Sequence, residues 1–155
     1  MTKVIKGQLK GRGIRIGIVA AKFNEFITQR LLDGCLDELA KLGVANKDIT
    51  VVWVPGSFDI PVLALTLAKK RTIDAVICLG VVIRGETYHF ELVAQGAAQG
   101  ISAAALQSGK PVILGVLSTE TVDQAYKRSD KKKDNKGRDA AVSAVEMVST
   151  LSQLK

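Results

Sequence analysis

The chain is predicted to fold as an α/β three-layer αβα sandwich, with a four-stranded parallel sheet between two layers of helices. Three observations carry this expectation. Four short apolar runs rich in Val and Ile stand at Ile14 to Ala20, Ile49 to Val54, Ala75 to Ile83 and Val112 to Leu117. Each run is followed by a segment whose apolar residues recur at helical spacing. Glycine and proline punctuate the alternation. Right-handed crossovers then give an open parallel sheet covered on both faces.

Taken in order, the arm Val4-Ile5-Lys6-Gly7-Gln8-Leu9 reads as a weak strand with no partner adjacent in sequence. Gly11-Arg12-Gly13 separates it from the body, so it is expected to add to the sheet edge of a neighbouring subunit. The first buried strand, Ile14 to Ala20, leads through Phe23-Asn24 into a helix with Ile27, Leu31, Leu32, Cys35, Leu36, Leu39 and Leu42 on its apolar side. Gly43 is placed to end that helix in a left-handed conformation. The second strand stops at Pro55-Gly56. Ser57 or Asp59 caps the next helix, and Pro61 fits only its first turn.

The third run, Ala75 to Ile83, is the most continuous and reads as the central strand. It turns at Arg84-Gly85, where glycine permits a backbone conformation that other residues avoid. Thr87 is the expected cap of a long helix running from Phe90 to Leu106. The fourth strand follows Gly109-Lys110-Pro111. A short helix over Thr119 to Lys127, capped by Thr121, and a last helix from about Arg138 complete the chain. With 155 residues the expectation is one domain, 1–155, made of an arm (1–13) and an αβα core (14–155).

Composition narrows the function. Hydrophobic residues make up 47%, which excludes a disordered chain. The two cysteines, Cys35 and Cys78, fall in a helix and a buried strand, and no CxxC or Cys/His cluster suggests a metal. Met1 to Lys10 is polar and lacks a signal-peptide pattern, and no apolar stretch has the length of a membrane span. A cytoplasmic location is the expectation. The net charge is +7, concentrated between Lys127 and Arg138, where seven basic residues face two acidic ones. That segment is a nucleic-acid patch, a solvated loop, or a phosphate-binding cation among solvated ones. No aromatics interleave with it, which disfavours a single-strand stacking platform.

Three turns gather unusual residues at the carboxyl ends of the strands, where open α/β sheets bind ligands. Phe23 either stacks on a flat ligand or packs as a hydrophobic staple. Asp59 either caps a helix or accepts from ligand hydroxyls. His89, the only histidine, begins a helix whose free N–H groups form an anion site beside Gly85, Glu86 and Thr87. An imidazole there is either a proton shuttle or plain surface. No GxGxxG or P-loop pattern is present, so neither a dinucleotide nor a nucleoside triphosphate is indicated.

The turns also carry motifs. Phe23-Asn24, Val54-Pro55-Gly56-Ser57-Phe58-Asp59-Ile60-Pro61, Ile83-Arg84-Gly85-Glu86-Thr87-x-His89-Phe90-Glu91, and Asn135-Lys136-Gly137 followed by Ala-x-x-Ala-x-Glu-Met resemble the lumazine synthases. The resemblance implies a flavodoxin-like sandwich and the penultimate step of riboflavin biosynthesis. In that step a ribitylamino-substituted aminouracil condenses with a dihydroxybutanone phosphate, with no cofactor and no metal. It implies that Phe23 stacks on the pyrimidine, that Ser57, Phe58 and Asp59 hold the ribityl chain, and that Val81, Val82 and Ile83 bind the ring edge through their backbone. It implies phosphate binding by Gly85, Glu86, Thr87 and Arg128, proton transfer by His89, and supporting roles for Leu114 and Lys136. Leu114, Arg128 and Lys136 are expected from the neighbouring subunit of a homopentamer, the building block of an icosahedral shell of twelve in some members. Riboflavin synthase is a further expected partner, and neither nucleic acid nor membrane is.

The sequence departs from the family pattern at three places. Asp59 stands where Glu is usual, Leu114 replaces an aromatic, and Ser129 to Asp134 is more charged and less glycine-rich. Two other readings compete: a lumazine- or flavin-binding protein without turnover on the same scaffold, and a nucleic-acid module using residues 127–138. His89 and Arg128 together argue against the first, since a binder of the product needs no phosphate site.

Overall fold

A strand of nine residues with no polar side chain can be satisfied only in the middle of a covered sheet. In the computed structural model, which describes residues 1–155, that strand is β3 (Ala75–Ile83), buried from Ala75 to Val82. It lies between β1 (Ile16–Ala21) and β4 (Val112–Thr119), with β2 (Ile49–Val54) outside β1. All neighbours are parallel, in the order β2-β1-β3-β4, the flavodoxin-like winding. The strand order reverses between β1 and β3, which sets the crevice at their carboxyl ends.

The period-two alternation of the strands divides the core. Ile16, Ile18, Ile77, Leu79 and Val81 point to one face and pack with α1 (Glu25–Lys41) and α5 (Lys136–Ser152). Val19, Ala21, Val76 and Cys78 point to the other, under α2 (Ile60–Ala68) and α3 (His89–Ser108). A short α4 (Val122–Lys127) follows β4, and 3₁₀ turns at Asn46–Asp48 and Ser57–Asp59 lead into β2 and α2. Burial lifts both cysteine thiols to a pKa of about 12, so Cys35 and Cys78 act as core residues.

Several expectations hold in detail. Gly43 follows α1 with φ of +98°, Pro61 occupies the first turn of α2, and the Thr121 hydroxyl accepts from the Gln124 N–H at 3.1 Å. Others need correction. The N-cap of α3 is Tyr88, not Thr87; the Thr87 hydroxyl lies 3.4 Å from the His89 N–H. Gly85 has no positive φ and open space around the position of a Cβ, so nothing within the chain requires glycine there. Helix α5 starts at Lys136 because Asn135 caps it, accepting from the Arg138 N–H at 3.0 Å.

The arm also differs from its expectation. Residues 1–13 form no strand. They run along α5 of the same chain, where the Gln8 N–H donates to Ser149 Oγ at 2.9 Å and Gln153 Nε2 donates to the Lys6 carbonyl at 3.0 Å. Gly7 sits so close to α5 that a Cβ would fall 2.3 Å from the Glu146 carbonyl. Gly11 is buried and its N–H donates to the Leu42 carbonyl at 2.7 Å, so the turn is anchored to the body.

At the amino ends of the two central strands, Arg15 clamps Asp74 across the starts of β1 and β3. Its backbone N–H and Nε reach Oδ2 at 2.8 and 3.1 Å, and Nη2 reaches Oδ1 at 2.9 Å. Partial burial alone would raise the Asp74 pKa, but the bonds from Arg15 outweigh it and hold it below its ordinary value. A depressed carboxylate stabilises the fold above its unfolded pKa and ceases to do so as pH falls through the folded one. Asp74→Asn is therefore expected to lower stability at neutral pH by about 1 kcal/mol, and the difference from the parent chain shrinks below about pH 4. Urea midpoints measured at pH 7 and pH 3 check this; an equal difference at both would remove the ionic part of the clamp.

Candidate active site

The first turn is tied down on two sides. The Lys22 N–H donates to the Val54 carbonyl at 2.8 Å and the Phe23 N–H to the Pro55 carbonyl at 3.0 Å, which fastens the end of β1 to β2. Asn24 has φ of 60°, a left-handed conformation that asparagine tolerates better than most residues. Its Nδ2 donates to the Val81 carbonyl at 3.0 Å and fastens the same turn to β3. Phe23 is left 72% exposed, which decides against the staple.

The second turn closes on itself. The Asp59 N–H donates to the Gly56 carbonyl, and Asp59 Oδ2 accepts from the Gly56 N–H, both at 3.0 Å. Asp59 stands at the N-cap of α2, yet its carboxylate bonds backwards rather than to that helix. Ser57 is buried against Gly80 of β3, where a Cβ would fall 2.5 Å from its hydroxyl. Phe58 lies over Gly96 of α3 and Pro61 over Gly100, and a Cβ at either glycine would come within 2.5 Å. Two glycines four residues apart open one groove along α3.

The third turn is braced by Arg84. Its N–H donates to the Thr119 carbonyl at 2.9 Å, and its Nε reaches Glu120 at 2.6 Å. Nη1 pairs with Glu91, and the guanidinium lies 4.4 Å from the centre of the Phe90 ring. One side chain thus joins the ends of β3 and β4 to the first turn of α3. Glu91, then Glu120, hold the Arg84 pKa above its ordinary value, and Arg84 holds Glu91 below its own. Beyond the brace, Gly85 to His89 are exposed.

The three turns enclose a cleft of about 720 Å³. Phe23, Ser57, Phe58, Asp59, Val81, Val82, Ile83, Gly85, Thr87 and His89 all line it, joined by Pro55, Gly56, Phe90, Leu92 and Val93. Glu86 is exposed in the same loop but does not line the cleft. Leu114, Arg128 and Lys136 line a different cleft of about 340 Å³ along the open edge of β4, with Ser118, Asp139 and Ser143. Leu114 is 54% exposed there. Lys136 is engaged by Asp139 at 3.3 Å and Asp134 at 3.4 Å, which raise its pKa. Arg128 takes part in no salt bridge; its Nη1 donates to the Gln124 carbonyl at 3.1 Å. No cluster of three or more His, Cys, Asp or Glu side chains is placed to hold a metal ion, and no helix is long and apolar enough to cross a membrane.

Sequence reasoning missed the Asn24 bond to β3, the Arg84 brace and the glycine groove of α3. The groove had a signal, Gly96 and Gly100 at helical spacing in an otherwise alanine-rich run. The brace had only weak ones, because Glu120 lies thirty-six residues from Arg84.

Residues 13–152 match the family model described as 6,7-dimethyl-8-ribityllumazine synthase.

The brace makes a local prediction. Arg84→Met is expected to speed amide hydrogen exchange at residues 85–92 by roughly fivefold or more while leaving the centre of β3 unchanged. Exchange read by mass spectrometry checks it; unchanged protection at 85–92 would show that the turn holds its shape without the guanidinium.

Proposed function

The chain belongs to the 6,7-dimethyl-8-ribityllumazine synthase family, and from that premise we propose that it condenses 5-amino-6-(D-ribitylamino)uracil with 3,4-dihydroxy-2-butanone 4-phosphate, releasing phosphate and water. The family consists of transferases of riboflavin biosynthesis that form dimethylribityllumazine. The observation that carries the reading is the division of the candidate residues between two clefts. The first offers an exposed aromatic ring, a turn with a hydroxyl and a carboxylate, a strand end and an imidazole. The second offers Arg128 and Lys136.

In this reading Phe23 stacks on the pyrimidine and the backbone of Val81, Val82 and Ile83 meets the ring edge. Ser57, Phe58 and Asp59 hold the ribityl chain. Asp59 Oδ2 is occupied by the Gly56 N–H, which leaves Oδ1 to accept from a ribityl hydroxyl. Gly85, Glu86 and Thr87 receive the phosphate of the second substrate. That loop has a deficit of positive charge: Arg84 is shared between Glu91 and Glu120, and Glu86 adds a further carboxylate. A phosphate dianion there needs a cation from outside the cleft, and Arg128 is a guanidinium with its fork uncommitted to any carboxylate.

The chemistry is amine attack on the ketone, Schiff-base formation with loss of water, departure of phosphate, and ring closure with loss of water. Each step moves protons near neutral pH, the range of an imidazole. His89 moves them from the start of α3. Holding two substrates in register supplies much of the acceleration.

The two clefts of one chain become one site when subunits meet head to tail. The assembly is a homopentamer in which Leu114, Arg128 and Lys136 of one subunit complete the cleft of the next. The Val4–Leu9 arm lies along α5 of its own chain and pairs with no strand there, which leaves its backbone able to cover a neighbour's sheet edge.

Mixing the protein with the two substrates is expected to produce the fluorescent lumazine. Arg128→Ala is expected to raise KM for the four-carbon phosphate by roughly ten- to a hundredfold, the scale of a lost charge-assisted bond, with KM for the pyrimidine nearly unchanged. An equal loss for both substrates would refute the phosphate role.

The shared site has its own test. His89→Ala and Arg128→Ala chains, unfolded and refolded together, are expected to give rings with some intact sites and activity above either parent. A fully active monomer by mass measurement would sink the shared site, and with it the roles of Leu114, Arg128 and Lys136.

A further inference from the structure

The loop that carries Arg128 and Lys136 is pinched shut at its root and moored to α1. The Lys136 N–H donates to the Arg128 carbonyl at 2.9 Å, and Ser129 and Asn135 form an antiparallel bridge. Asn135 is fully buried. Its Nδ2 donates to the Ser129 carbonyl at 3.1 Å and to the Arg30 carbonyl of α1 at 3.2 Å, while Oδ1 accepts from the Arg138 N–H at 3.0 Å. The Arg30 side chain completes the mooring: Nε donates to Ser129 Oγ at 3.0 Å, and the guanidinium lies 3.8 Å from the centre of the Tyr126 ring.

The packing leaves no slack. A Cβ at Gly34, one helical turn beyond Arg30, would fall 2.5 Å from the Asn135 carboxamide. A Cβ at Gly137 would fall 1.9 Å from the Leu31 carbonyl. Outside the pinch, Lys131 to Lys133 are exposed, and the Asp130 N–H donates to the Asp134 carbonyl at 3.0 Å. The tip has its own ties: Arg138 reaches the Lys131 and Lys133 carbonyls, and Lys131 pairs with Asp37 of α1 at 3.1 Å, while the Lys132 and Lys133 side chains take part in no salt bridge.

We propose that Asn135 is a positioning residue for phosphate binding: its two amide donors hold the root of the loop on α1 and so aim Arg128, whose carbonyl closes the pinch. The proposal rests on the reading that Arg128 binds the phosphate. A cap of α5 needs only an oxygen to accept from Arg138, and aspartate supplies one as well as asparagine does. The donors to Ser129 and Arg30 are what a cap does not require. Asn135→Asp keeps the size and the cap and removes both donors.

The test is a double-mutant cycle read as KM for the two substrates. Asn135→Asp is expected to raise KM for the four-carbon phosphate by roughly tenfold, the effect of a misaimed group, and to leave KM for the pyrimidine nearly unchanged. In an Arg128→Ala background the same substitution is expected to add nothing to that KM, because the residue it aims is gone. Lys132→Ser and Lys133→Ser, at the tip, are expected to leave both constants as they were. Should Asn135→Asp not fold, Asn135→Ser, whose hydroxyl still caps α5, enters the same cycle. A rise in both KM values together, or an effect that adds to that of Arg128→Ala, would overturn the proposal and leave Asn135 a purely structural residue. A raised KM in Arg128→Ala with a normal one in Asn135→Asp overturns this proposal alone. A normal KM in Arg128→Ala overturns the phosphate role of Arg128 and this proposal with it.

Discussion

The burial of β3 on both faces is the constraint on which the rest depends. A strand of Ala, Val, Ile, Cys, Leu and Gly offers no polar side chain, so its backbone groups must pair with strands on both sides and its side chains must be covered above and below. That demand puts β1 and β4 beside it and fixes which helices share each face. It also decides where the strand can release its ligand-facing groups. Burial ends at Val82, and the next residues are the exposed turn that carries His89. Gly80 serves the same end, because only the absence of a Cβ lets Ser57 settle against the strand.

The distribution of charge differs between the two clefts. Around the start of α3 the structure commits Arg84 inwardly, to Glu91 and Glu120, and spends its cation on holding the turn. The cleft gains a braced wall, and Arg84 is left with no unpaired charge. In the second cleft Lys136 is likewise paired, with Asp134 and Asp139, whereas Arg128 meets no carboxylate. Shape is supplied in one place and charge in the other. A dianion in the first cleft would meet an arginine already paired with two carboxylates, which is the physical argument behind the proposed joining of two chains.

The fold was legible because its signals are local and repeated. Four apolar runs, the helical spacing after each, Gly43 and Pro61 all depend on neighbours in sequence, and the strands and helices stand where those signals put them. The candidate residues of the first cleft were legible as turns at strand ends. What sequence could not give were contacts between distant segments: Asn24 with Val81, Arg84 with Glu120, Asn135 with Arg30. Two local readings came out differently within the single chain. Gly85 suggested a special backbone that it does not adopt. The arm's apolar residues suggested a strand, whereas Gln8, Lys6 and Gly7 fit the surface of α5.

Gly85 then acquires a different meaning. A glycine whose φ and surroundings make no demand within the chain is free to be selected by what approaches it from outside. The position lies in the wall of the first cleft, after the Arg84 brace and before Thr87. In the proposed reading a phosphate meets the backbone there, and the absence of a side chain leaves it room. Gly80 and Gly96 differ in kind: their missing Cβ atoms are filled by Ser57 and Phe58 of the same chain. Gly85 has no such neighbour within the chain, and its place in the cleft wall supports the proposed phosphate role.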